Sequence, residues 1–568
     1  MLSVRASLAK LLVLASVSGP VALAFVSGPL AAHAATQQDS ASDPVLTAMH
    51  EELAREQAQL LLPGMLKPYF IEYRLDDMST YEALANFGAL VREQSNHQRV
   101  VRVTVRIGDY QHDSSGTRGD GTASLASTDN NSQAIRYALW IATDDAYKNA
   151  LRAYTAKQAA LQRFQAEQTQ DDFARAKPVT HIGPLVSLDL DTSDWRHRVI
   201  EASGLYATDP EVRSFASDVQ YSSANVRGIA VNRYLVNTEG TALRNGYTAY
   251  ASNIDVGGQA PDGMGISRGN GSTARTSAAL ESWPAFRKRV VDDLKSIEAL
   301  RTAPVVSAED YHGPVLFSGD AASDLFSRLF VSNVEASRPE MGTTARTTGQ
   351  YTSSFHARVL PEFFSVIDNP LEKSFAGQQL IGAYDFDDEG VPAQSVPVVV
   401  AGKLENYLIG RTPIRDFPES NGHGRAAVGQ APRSESAVVL FQSKAPLSGD
   451  AIHARLLSMA RDQGRDVYEV ETLGGELAPR VLYLVHPDGT RQLVRGAVFD
   501  ELDHRSLRAD IVAAGDDYYI NNSLGTIPQT IVAPSLLFDD IGVKRATVEQ
   551  QKLPYYPPPP SAAPAPAN

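Results

Sequence analysis

The 568-residue sequence contains no cysteine. That absence removes disulfide frameworks, thiolate zinc sites, iron–sulfur clusters and cysteine nucleophiles, leaving oxygen and nitrogen groups for any chemistry. Basic residues are scarce: 52 Lys and Arg against 66 Asp and Glu give a formal charge of −14, which repels nucleic acid over most of the surface. Closely spaced histidines are lacking too. The nearest two of the twelve, His97 and His112, are fifteen residues apart, whereas a hydrolytic zinc needs two imidazoles close together on one helix with a glutamate base. His50-Glu51 opens a false match, because Glu52 to Gln57 hold no second histidine. No Walker-type lysine motif and no well-placed dinucleotide fingerprint occurs, so nothing implies a nucleotide cofactor. Beyond the N-terminus no apolar run approaches the length of a membrane span.

What is present, 43% hydrophobic and 21% charged residues, is the composition of a globular protein with several cores. Arg5 and Lys10 precede an apolar stretch from Leu11 to about Ala32, and Ala32-His33-Ala34 offers the small-x-small pattern read by signal peptidase. Residues 1–34 are therefore expected to be a cleaved secretory signal. A retained anchor is the competing reading, opposed by Gly19-Pro20, Gly28-Pro29 and the missing basic stop-transfer cluster. Cleavage after Ala34 leaves a mature chain of −16 bound for a periplasm or the exterior, with no span left.

The periodicity predicts an opening helix over Pro44 to Leu62, then an antiparallel sheet over Tyr69 to Gly108 with turn residues at Ser95-Asn96-His97. A surface loop over Gly116 to Ser132 and a long helix over Ala134 to Lys177 follow. Val226 to Leu243 reads as two strands around Asn237-Thr238-Glu239-Gly240, Gly257 to Thr276 as a second glycine-rich loop, and Trp283 to Arg301 as an amphipathic helix. The boundary falls near Ala303 to Gly313. Beyond it short strands dominate (Pro397 to Val400, Ala437 to Phe441, Val481 to Val485, Ala513 to Ile520), with one helix over Ser448 to Asp462. The expected fold class is α+β: an N-terminal domain over 43–305 with an antiparallel sheet and long helices, and a mainly β C-terminal domain over 306–550. The tail, residues 554–568, holds seven prolines from Pro554 onward and is expected to be disordered or polyproline-like.

Two motifs match only in form. Gly265-Ile266-Ser267-Arg268-Gly269 fits the G-x-S-x-G expression of serine hydrolases, but glycines on both sides predict loop where a nucleophile elbow needs a strand and a helix. Asp385-Phe386-Asp387-Asp388-Glu389-Gly390 starts like a calcium loop, yet its twelfth position is Val396 instead of the bidentate carboxylate, so a solvated acidic turn is expected. Two further segments set an imidazole beside a guanidinium, a combination able to hold a peptide carboxylate or carbonyl. These are Ser353 to Arg358, with His356 and Arg358, and Arg411 through Arg425, with Arg411, His423 and Arg425. The glycines around His423 suit ligand approach or a plain surface turn. No catalytic residue and no metal ligand is assigned.

The order of segments resembles the TldD/PmbA family, the modulator-of-gyrase or U62-type peptidases, and within it the exported branch. The resemblance runs through Lys67 to Arg74, Asn237 to Gly240, Gly313-Pro314-Val315-Leu316-Phe317, Asp385 to Val391, Gly402 to Leu408, Ser420 to Arg425 and Pro534-Ser535-Leu536-Leu537. It covers about Asp43 to Arg545. It implies dimers around an internal cleft. In the family's metal-bearing branch, a His-Glu-x-x-x-His helix and a downstream cysteine bind zinc for cleavage of unfolded or small peptides. The equivalent stretch here, Ser318 to Phe330, carries no histidine and no glutamate, which is similar to the PmbA-like branch that pairs with a zinc-bearing TldD-like partner.

The resemblance therefore implies a peptidase-related protein without a cofactor of its own, zinc being expected only in a partner subunit. It would bind peptide or unfolded polypeptide, as a homodimer or a heterodimer with a TldD-like relative. Whether the chain is itself an enzyme stays open at this point. The rival readings are a self-sufficient peptidase with an atypical site and a non-enzymatic envelope scaffold.

Overall fold

The computed structural model describes residues 43–116, 119–164, 170–340, 343 and 345–547. The expected signal and the proline-rich tail lie outside the described residues. Asp43 opens the first helix, α1 (Pro44–Gln59): its carboxylate accepts from the N–H groups of Val45 (2.9 Å) and Leu46 (3.1 Å), with Pro44 in the first turn. Two long strands follow, β1 (Phe70–Asn86) and β2 (Ala89–Arg106). Their turn is Phe87-Gly88, both at positive φ (51° and 80°), the left-handed pair that matches strand twist in a tight hairpin. The expected turn at Ser95 to His97 is instead mid-strand, with Ser95 opposite Tyr81 and His97 opposite Ser79. The polar run there is the exposed outer edge of the sheet, since β3 covers β2 only from Arg99 to Val103 while β1 stays paired with β5.

The N-terminal sheet adds β3 (Thr122–Ala126), β4 (Thr180–Ile182), β5 (Val219–Asn237), β6 (Ala242–Gln259) and β7 (Gly265–Ala274) in the order β3-β2-β1-β5-β6-β4, with β7 also on β6. The β5–β6 hairpin turns at Asn237 to Gly240 as its sequence predicts. Both glycine-rich stretches depart from expectation. The first contributes the edge strand β3, and the second is strand β7. A Cβ at Gly269 would meet Asp255 Oδ1 and one at Gly271 would meet Asn253 Oδ1, so glycine lets the side chains of β6 fold over β7. Ser267 accordingly sits in a strand with no helix behind it.

Helices cover one face of this sheet. α1 and α2 (Ser132–Phe164, shorter than expected) pack on Ile71, Tyr73, Leu75, Val101 and Val103. The unanticipated α3 (Thr192–Thr208), capped by Asp191 on Asp194 N–H (3.0 Å), and α4 (Trp283–Thr302) pack on Tyr81, Ala83, Val226 and Ile254. The C-terminal half is mainly β. One sheet holds β8 (Tyr311–Phe317), β17 (Val467–Leu473), β18 (Pro479–Val485), β19 (Arg491–Val494), β20 (Ala497–Asp500), β21 (Ile511–Ala514) and β24 (Leu536–Arg545). The other holds β9 (Phe364–Asp368), β12 (Val396–Val400), β13 (Lys403–Leu404), β16 (Val438–Ser443), β22 (Tyr519–Leu524) and β23 (Pro528–Ala533). Two small hairpins, β10–β11 (Ser374–Phe375, Gln378–Gln379) and β14–β15 (Gly424–Arg425, Arg433–Ser434), complete it. The expected strand Ala513 to Ile520 is split between β21 and β22, in different sheets.

Helix α5 (Asp320–Leu329) buries Phe326 against Phe441 (ring centroids 3.7 Å apart), while α6 (Gly449–Gln463) and α7 (His504–Ala509) flank the first sheet. The whole is mixed α+β, an antiparallel-sheet domain followed by a mainly β domain. Among the described residues no helix is long and apolar enough to cross a membrane.

Candidate functional site

Because Tyr73 and Leu75 enter the α1–α2 core, Glu72, Arg74 and Asp76 must emerge from the other face of β1. Pairing sets Arg102 opposite Arg74 and Arg233 opposite Asp76. Residues 384–430 of the C-terminal half cover this charged face. The stretch Asp385 to Gly390, expected to be a solvated turn, is instead its centre, with Asp387 only 2% exposed. Asp388 pairs with Arg233 and, at 3.5 Å, with Arg425. Asp76 takes Arg233 Nε at 2.5 Å and the N–H of Gly429 at 2.9 Å. Asp387 accepts from the N–H groups of Glu389 (3.0 Å), Val391 (2.8 Å) and Gly424 (2.9 Å). Arg411 donates to Ala174 O (2.9 and 2.8 Å) and to Glu239 Oε1 (2.8 Å), and lies over Phe173.

Burial pushes the Asp387 carboxyl well above the usual range, with Glu389 nearby adding to it, and burial also raises Glu389 against the pull of Arg411. Glu72 is pushed up to about 7 by burial, only partly offset by Arg411. Burial acts on Asp388 in the same direction, but Arg233 and Arg425 outweigh it and hold that carboxyl below its ordinary value. The arrangement is thus a buried clasp of carboxyls, some lifted by burial and others held down by arginine partners, joining the two halves.

The five residues singled out from the sequence fall into two groups. Arg411, His423 and Arg425 come together inside the clasp, 1%, 0% and 8% exposed. His423 Nε2 is 3.5 Å from Asp368, and its Nδ1 faces Asn421 O and Oδ1 at 3.1 Å. His356 and Arg358 lie on the surface in local ion pairs, with Glu405 (2.7 Å) and Glu362 (3.2 Å). Spacing in the chain could not show that only a partner domain buries the first group.

A more open polar region lies where α5, β7, β17 and β22 meet, and the sequence reading missed it. Asn521 of β22 donates to Asp324 Oδ1 (3.3 Å), and Arg268 of β7 is 3.4 Å from Asp293 of α4. Asp320, the first residue of α5, is pushed up to about 6 by burial, with Asp324 adding and Thr472 and Arg268 opposing. Burial lifts the Tyr519 phenol to about 12, helped by Asp320 and Asp324 and resisted by Arg289 and Arg268. Ser318, just before α5, donates to Glu469 Oε1 (3.1 Å), which also meets His453 Nε2 (3.0 Å). The carboxylate therefore stands between serine and histidine, the wrong order for a serine–histidine relay. The bond to Glu469 pushes His453 up to about 9. Beside α5, β7 has one ladder partner, β6, and β22 has one, β23; Thr273 Oγ1 reaches Asn522 O at 3.4 Å where the two meet.

Residues 310–545 match the family described as the PmbA/TldA metallopeptidase C-terminal domain. That match spans the C-terminal part of the chain, which is therefore similar to the C-terminal domain of the TldD/PmbA family. Solved structures agree with a TldD/PmbA fold over both halves. A candidate modulator of DNA gyrase from Thermotoga maritima is 14% identical with a TM-score of 0.60, covering 88% of this chain and 99% of that one. TldE from Thermococcus kodakarensis is 12% identical with a TM-score of 0.58, covering 87% and 99%. A candidate gyrase modulator from Bacteroides thetaiotaomicron is 12% identical with a TM-score of 0.58, covering 89% and 99%. No curated protein matches. The zinc expected of the family's metal-bearing branch does not suit this donor set. α5 offers Asp320 and Asp324 but no imidazole, and among the described residues no three His, Asp or Glu side chains are grouped to hold an ion.

Proposed function

We propose that this chain is an exported, metal-free peptide-binding subunit of a TldD/PmbA-type peptidase, whose hydrolytic zinc is supplied by a partner of the same family. The observation that carries the reading is α5. Where the metal-bearing branch has its ligands, this helix carries two carboxyls and an arginine, and carboxyls alone neither complete a tetrahedral nitrogen-rich site nor lower the pKa of a water. Beside α5 the strands β7 and β22, each with a single ladder partner, would offer main-chain N–H and C=O groups, the means by which an extended polypeptide is held whatever its sequence. The leader read in residues 1–34 supports export. In the test, the purified chain, a zinc-bearing relative and the co-expressed pair are each given an unfolded polypeptide, with and without chelator. Cleavage by the pair that chelation abolishes, with none by this chain alone, is the expected result. Chelator-resistant cleavage by the lone chain overturns it.

A further inference from the structure

On the helix-covered face of the N-terminal sheet, Leu75 meets α1–α2 and Tyr81 meets α3–α4. By strand alternation Asp77 and Ser79 fall on the same face between the two helix pairs. A cavity of about 350 Å³ opens there, with Ser79, Ser95 and His97 on the strand side and Leu188, Leu190 and Thr192 across from them. Its polar groups are not a random surface mixture. His97 Nε2 is 2.6 Å from Asp77 Oδ1, and the other carboxylate oxygen takes Arg99 Nε at 2.8 Å, so the acid is held from two sides. Ser79 stands directly across the ladder from His97, where facing Cβ atoms are about 5 Å apart. With Nε2 engaged, Nδ1 is the ring nitrogen left for a hydroxyl. Thr192, the first residue of α3 after its Asp191 cap, borders the cavity.

We propose that Ser79, His97 and Asp77 form a second site, which hydrolyses small uncharged acyl esters. Serine supplies the nucleophile, histidine the base, and the carboxylate fixes the ring and stabilises the imidazolium. Ser79 Oγ attacks the acyl carbon while its proton passes to His97 Nδ1. The C–O bond to the alcohol breaks, and the departing oxygen takes that proton. Water then attacks the acyl-serine with His97 again as base, releasing the acid and restoring the hydroxyl. Leu188 and Leu190 suit the apolar acyl chain. This site is separate from the polar region beside α5 and stands or falls without the peptide-binding reading.

The full-length chain is treated with a fluorophosphonate probe, mapped by peptide mass spectrometry, and assayed with p-nitrophenyl butyrate. The expected results are a single adduct on Ser79, and a loss of both labelling and hydrolysis by about 100-fold or more in His97→Gln. Ser124→Ala, at a serine of β3 outside the cavity, should leave both within about twofold. Leu188→Trp, which fills the cavity without touching the three polar groups, should also suppress labelling and covers the case in which His97→Gln misfolds. No adduct, an adduct on another residue, or labelling unchanged in both His97→Gln and Leu188→Trp overturns the proposal.

Discussion

The clasp beneath β1 and the polar region beside α5, hereafter the α5 cleft, are built from the same residue types, aspartate, glutamate and arginine, and behave oppositely. In the clasp nearly every charge is buried and meets an opposite charge or a backbone N–H, so the groups join the two halves and leave little for a ligand to reach. In the cleft Asp320 and Asp324 are only partly buried, and both are raised by burial. The difference lies in the partners each carboxyl finds rather than in composition: a paired buried charge is structural, and a half-exposed, poorly compensated one is available to a substrate.

The largest effect that separates the two regions is expected from Arg233→Ala, which strands Asp76 and Asp388 in the interior. Denaturant unfolding should show a loss of about 3–5 kcal/mol; a loss near zero would mean the clasp carries no stability. The pH profile sharpens the same point. Glu72 keeps its proton to about pH 7 in the folded chain against an ordinary 4.5. Its contribution is therefore complete below about 4.5 and is lost as pH rises through 7, by on the order of 3 kcal/mol. Asp76 and Asp388, held low by arginines that outweigh their burial, act with the opposite sign and withdraw stability as pH falls below their ordinary 3.8. Thermal melts between pH 4 and 8 should thus decline toward the alkaline end, and Glu72→Gln should flatten that slope.

In the cleft, Asp320→Asn should change stability by less than about 1 kcal/mol yet weaken binding of an unfolded polypeptide by about tenfold, on the scale of one lost charge-assisted hydrogen bond; fluorescence anisotropy measures it. The smallest effects belong to His356→Ala and Arg358→Ala. Their ion pairs are exposed, so unfolding midpoints should stay within about 0.5 kcal/mol.

How far these regions were legible follows from how local their signals are. The Asn237 to Gly240 hairpin, α1, and α4 with Val290, Leu294 and Ile297 in phase can be read from the chain, because turn chemistry and periodicity act over a few residues. β7 could not be read in this way: its glycines look like loop until Asp255 and Asn253 fold over them from β6. Asp385 to Gly390 misled for the same reason, since acidity predicts exposure unless arginines from another strand are in place to receive it.

The sequence by itself determined that no cysteine chemistry and no His-Glu-x-x-x-His helix is available, and that helices and antiparallel strands share the N-terminal half. Only the tertiary structure decided that Arg411, His423 and Arg425 face inward, that α5 lies beside β7 and β22, each with one ladder partner, and that Ser79 lies across from His97. Residue types set which groups exist, whereas their burial and pairing depend on strands hundreds of residues apart, and free energies of ionisation and contact are properties of that assembled environment.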